Sequence, residues 1–102
     1  MLNDKELMVL KACADNALDA AGGDFGFTDE VPAYIKEHLT TNQVKGYLSS
    51  LQSKGMIMID SEYVDNRKIT QLTLDKDSLI ELVNAGLVDD EYVQEFDCWH
   101  RD

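Results

Sequence analysis

Between Thr40 and Ile59 the sequence changes its periodicity at a single glycine, and that change constrains the fold more than any other feature. Thr40-Thr41-Asn42 supplies helix caps, and Val44, Tyr47, Leu48 and Leu51 follow at i, i+3, i+4 and i+7. This is the strongest helical stripe in the chain. Gly55 ends it, and Met56-Ile57-Met58-Ile59 follows at once as a short apolar run that reads as a strand. Ile69 to Leu74, with Thr70, Leu72 and Leu74 on one face, reads as a second strand. Joined by the polar stretch Asp60 to Lys68, the two make a hairpin.

Helices flank this block. Asn3 and Glu6 form a capping-box pattern, and Leu7, Leu10, Ala14, Leu18 and Ala21 recur behind it, predicting a helix over about 4–21 that Gly22-Gly23 ends. Asp24 to Phe27 is a connector whose Phe25 and Phe27 share a face if extended. Thr28 or Asp29 caps a second predicted helix that carries Pro32 in its first turn and stops near Leu39. Val31, Ile35, His38 and Leu39 mark its buried side, which makes His38 a packed or capping histidine. After the hairpin, Asp75 or Asp77 caps a fourth helix with Leu79, Leu82 and Val83 inside and Gly86 at its end. A last helical stretch starts at Asp89 and aligns Tyr92, Phe96 and Trp99. The order is three helices, two strands and one or two helices: an α+β chain forming a single domain over 1–102.

The 102 residues suffice for a core without disulfides or a metal. Cys13 and Cys98 are isolated and form no paired metal spacing; Cys13, among alanines, reads as a small core residue. No apolar run approaches the ~20 residues of a membrane span, and Met1-Leu2-Asn3-Asp4 lacks a signal-peptide pattern, so a soluble cytoplasmic protein is expected. Cys98 and His100 beside Asp97 lack the spacing of a zinc site. No nucleophile elbow, phosphate loop or catalytic dyad stands out. The expectation is therefore a protein that is not an enzyme, with no cofactor and no metal.

The segment from Leu39 to Ile57 resembles the core of the winged helix-turn-helix family: an apolar end to helix two, a polar turn, an amphipathic recognition helix, then Leu51-Gln52-Ser53-Lys54-Gly55-Met56-Ile57 leading into the wing. Within that family it is similar to the MarR-type regulators, through Asp65-Asn66-Arg67 in the wing and Leu72-Thr73 after it. It departs from their pattern after Thr73, where Leu74-Asp75-Lys76 replaces the usual Thr-x-x-Gly. The resemblance spans about 28–80. It implies a helix-turn-helix core over about 28–55, a wing over about 56–74 and C-terminal helices over about 77–100. Its functional implication is a regulator that docks helix 41–54 in the major groove of double-stranded DNA and lays the wing beside it. Arg67 then enters the minor groove, Asp65 orients it, and Lys68 touches the backbone.

The charge distribution is consistent with such a face. The net charge is −11, which excludes an all-round basic nucleic-acid binder. Residues 1–39 carry eight acids and three bases, and residues 75–102 carry nine acids and two bases. Residues 40–74 carry three acids and four bases, with no acid between Thr40 and Gly55. The exposed side of that helix would show Thr41, Asn42, Gln43, Lys45, Ser49, Gln52 and Lys54 to base edges and phosphates. A homodimer is expected, because paired half-sites double the contacts of one module. Its interface would be the stripe Tyr92, Phe96 and Trp99. The competing expectation is an acidic winged-helix module, or a DNA mimic of phage type, that binds a protein and not DNA.

Overall fold

The computed structural model describes residues 2–100. Helix α1 runs from Asp4 to Ala21. Its capping box is formed in both directions: Asn3 Oδ1 accepts from the Glu6 amide at 2.8 Å, and the Asn3 amide donates to Glu6 Oε1 at 3.0 Å. Val9, Leu10, Cys13, Ala14 and Ala17 of α1 are completely buried. The helix ends at Gly22 in the left-handed conformation.

Strand β1 is only Gly26–Phe27. It lies against α1 so closely that a Cβ on Gly26 would stand 2.4 Å from Asn16 Oδ1. Only glycine fits there, and the same oxygen accepts the Phe27 amide at 2.6 Å. Phe25 and Phe27 meet edge to face at 5.6 Å.

The predicted second helix is not formed. Its place holds a single 3-10 turn over Val31–Tyr34, followed by a bend at Ile35 and a turn over 36–38. Neither Thr28 nor Asp29, the expected caps, does that job: the turn starts after Glu30, which makes no side-chain cap bond. The Thr28 amide donates to the Thr70 carbonyl, extending the β1 pairing, and the Glu30 carboxylate accepts from the buried Asn16 side-chain amide at 2.9 Å. With no side-chain cap at its start and Pro32 withholding a donor, the segment closes i→i+3 bonds instead. Val31, Ile35 and Leu39 still anchor it in the core. His38, expected on the buried side, is exposed.

Helix α2 spans Thr41–Ser53 with Thr40 as its cap and Val44, Leu48 and Leu51 buried. Strands β2, Ile57–Val64, and β3, Arg67–Leu74, then form a hairpin longer than the sequence suggested. The stretch Asp60 to Lys68, read as a loop, is mostly strand. Its connection is the two-residue turn Asp65-Asn66, both at positive φ (52° and 65°), the geometry that matches strand twist. Only Ile57 and Leu72 of the hairpin are fully inside. The outer half is held by ladder hydrogen bonds rather than burial, so no hydrophobic alternation marks it. β3 is the central strand: the sheet is antiparallel in the order β1-β3-β2, with Gly26 opposite Leu72 and Ile59 opposite Leu72 on the other side.

Helix α3, Lys76–Asn84, is capped by Asp75, and its buried Ser78 hydroxyl donates to the Met56 carbonyl, tying the helix to the start of the hairpin. Leu79 and Leu82 are buried, while Val83, expected inside, is half-buried. Helix α4 covers only Asp90–Gln94, capped by Asp89, and a 3-10 turn follows at Asp97–His100.

The aromatic stripe expected at a dimer interface faces the chain's own core. Phe96 is completely buried. The Tyr92 hydroxyl donates to Asp15 Oδ1 at 2.7 Å, with Lys11 over its ring, and Trp99 is half-buried with Lys76 over its ring.

Candidate nucleic-acid interface

The capped start of α2 points the polar residues outward. Thr41, Asn42, Gln43, Lys45, Ser49 and Gln52 are all exposed, while Val44, Leu48 and Leu51 hold the opposite side in the core. The Gln43 carbonyl oxygen is committed to its own helix, accepting the Thr40 amide at 2.8 Å, so its amide group is the part left to contact a base. Gly46 has nothing within 4 Å of where a Cβ would stand, so another molecule can approach the backbone there.

Lys54 is not free in the same way. Its Nζ lies 2.7 Å from Glu6 Oε2 and 2.9 Å from Oε1, although the side chain stays 43% exposed. The Ser50 hydroxyl donates to the same carboxylate at 2.6 Å. Glu6 itself is only 2% exposed. Its backbone bond from Asn3, then the Lys54 and Ser50 bonds, hold its carboxyl at about 2, well below the ordinary 4.5, against the opposing effect of burial. This joint fixes the C-terminal end of α2 on the N-terminal end of α1. Sequence reasoning missed it, yet a signal exists: Glu6, Val9 and Cys13 lie on one apolar helical stripe, and a carboxylate on such a stripe needs partners.

On the hairpin, Arg67 stands opposite Val64 and Lys68 opposite Tyr63, next to the turn, and all four are exposed. Successive strand residues point to opposite faces. Lys68 therefore shares a face with Thr70 and Leu72, the side that continues into the core, and Arg67 shares the other with Ile69 and Gln71. Asp65 is the first residue of the turn, and among the described residues no ion pair joins it to Arg67. Asp60 and Glu62 are exposed on β2, so the hairpin carries three acids and two bases whereas α2 carries none of the acids.

The remaining candidates are structural in their surroundings. Cys13 is completely buried, and that burial pushes its thiol up to about 12. His100 contacts the Gln94 carbonyl at 2.9 Å. Among the described residues no three His, Cys, Asp or Glu side chains are grouped so as to hold a metal ion, and no helix is long and apolar enough to cross a membrane. No protein-family model matches the chain, and no curated protein is significantly similar to it.

Proposed function

We propose that the chain is a winged-helix DNA-binding protein, a small transcription regulator related to the MarR type. The observation that carries this reading is the exposed side of α2: a capped, acid-free surface of amides, hydroxyls and Lys45 on a chain of net charge −11. Two further features support it. The hairpin follows α2 directly, and Arg67 and Lys68 stand exposed beside its turn. In this reading α2 enters the major groove, where Asn42 and Gln52 offer bidentate amides to adenine, Gln43 offers its NH2 as a single donor, and Lys45 offers a cation to guanine or phosphate. Arg67 reaches the minor groove from the hairpin end. Thr41 and Ser49 hold phosphates, and Lys68, on the other hairpin face, contacts the backbone of the opposite strand or none. Two copies on paired half-sites complete the proposal, joined through a surface other than Phe96, which the core already occupies.

A second reading, a protein-binding module, is favoured by the hairpin itself, where Asp60, Glu62 and Asp65 offset Arg67 and Lys68 and leave Met58 and Tyr63 exposed. Fluorescence anisotropy on a duplex selected from a random pool separates the two. Arg67→Ala and Lys45→Ala should weaken binding, by about 1–3 kcal/mol for a base contact or with a salt slope lower by about one for a phosphate contact. Asp90→Ala, on α4, should leave it unchanged. Failure to bind any duplex at low salt, or equal loss from Asp90→Ala, sinks the regulator reading.

A further inference from the structure

A groove of about 640 Å³ lies on a part of the surface that includes no residue of α2 or the hairpin. Its apolar floor is Leu7, Met8, Ala12, Ile35, Ala85 and Leu87. Leu87 is 44% exposed there, an apolar side chain left in water. On α1 the groove follows Asp4, Leu7, Met8, Lys11, Ala12 and Asp15, one helical face that extends for about 16 Å. We infer that this groove docks an amphipathic helix whose apolar ridge is flanked by lysine or arginine.

The walls decide the shape of the occupant. The backbone around the groove is already bonded within itself: His38 and Leu39 amides to the Ile35 carbonyl, Ala85 to Glu81, Gly86 to Val83 and Leu87 to Leu82. No strand edge is offered for an extended peptide to pair with. A helix brings its own backbone bonds and needs only side-chain contacts, the mode by which apolar ridges settle into helical grooves.

Charge decides its chemistry. The groove carries the carboxylate of Asp4 beside the Asp15–Lys11 pair, and an adjoining recess that shares Lys11 and Leu87 adds Asp89. The one lysine, Lys11, is held by both Asp15 oxygens at 2.8 Å and sits over the Tyr92 ring. The walls come from the two most acidic stretches of the chain, 1–39 and 75–102. A second copy would bring another −11 against these acidic stretches. A cationic amphipathic helix meets an apolar floor and an opposite charge together.

The test uses a labelled peptide of about four helical turns, built of leucine at i, i+3, i+4 and i+7 with lysine elsewhere. It is compared with the same pattern in leucine and glutamate, and with a scrambled leucine–lysine peptide. Only the first should bind. Leu87→Gln and Met8→Gln should each weaken it by about tenfold. Ile80→Gln, a comparably exposed apolar residue of α3 outside the groove, should not. Should Met8→Gln fail to fold, the exposed Leu87→Gln decides alone. Equal binding of the scrambled or glutamate peptide, binding indifferent to Leu87, or no binding overturns the inference. So does a dimer in light scattering that Leu87→Gln dissociates, which would make a second copy the occupant.

Discussion

Two helices of this chain begin with the same device and use it differently. Asn3 and Glu6 open α1, Thr40 and Gln43 open α2, and in each the cap side chain and the third residue satisfy one another's amides. Gln43 is exposed and serves only its own helix. Glu6 is buried and, with the oxygens that complete its cap, also accepts Ser50 and Lys54 from the far end of α2. A local motif becomes a tertiary joint when its polar group lies where a neighbouring helix can reach it. The joint then sets the angle at which α2 presents its polar side, so the proposed binding face depends on a residue outside it.

The largest effect should come from breaking that joint. Glu6→Ala leaves the Asn3 amide, the Ser50 hydroxyl and the Lys54 ammonium without their acceptor, and should cost about 2–3 kcal/mol in urea unfolding. A loss below about 0.5 kcal/mol would reduce Glu6 to an ordinary cap.

The pH dependence sharpens the same point. In the fold Glu6 stays ionised down to about pH 2, whereas unfolded it takes a proton near 4.5. The unfolded state therefore binds more protons in that window, and stability rises with pH across it. The contribution is complete above about 4.5 and is lost as the pH falls to about 2. Glu6→Gln should flatten this acid limb of the stability curve, and an unchanged limb would assign it to other carboxylates.

The exposed cap should matter less. Thr40→Ala should cost about 1 kcal/mol, the usual value of a lost N-cap, and Gln43→Ala only a few tenths, read from thermal midpoints. Equal losses from Gln43→Ala and Glu6→Ala would abolish the contrast between the two boxes.

Helices α1 and α2 were legible because everything that bounds them is local: a cap, a stripe and a glycine. The polar side of α2 was legible for the same reason, since fifteen or so residues of sequence carry it whole. The second helix was misread because neither Thr28 nor Asp29 caps it, and the segment before it is held by partners remote in sequence, Thr28 by Thr70 and Glu30 by Asn16. The outer hairpin was missed because exposed strands show no apolar alternation. Phe96 was placed at an interface because periodicity tells which side chains share a face and not what covers that face. The Glu6 joint joins positions 44 and 48 residues apart, and the groove draws on three separate segments, so neither has a signature in any one window.

The C-terminal aromatics also bear on the order in which the molecule can be built. Tyr92 bonds to Asp15 across 77 positions, Val93 and Phe96 belong to the same buried core as α1, and the backbone at Glu95 passes so near Gly23 that a Cβ there would stand 2.7 Å from its carbonyl oxygen. Synthesis delivers α1 first and these residues late. Until position 96 has emerged from the ribosome, the Tyr92–Asp15 bond and the close approach at Gly23 cannot form, and the part of the core that Val93 and Phe96 complete stays open to any other apolar surface. A product released or cleaved before that point would keep its amphipathic helices without the plug that closes them, and should be prone to aggregation and quickly degraded.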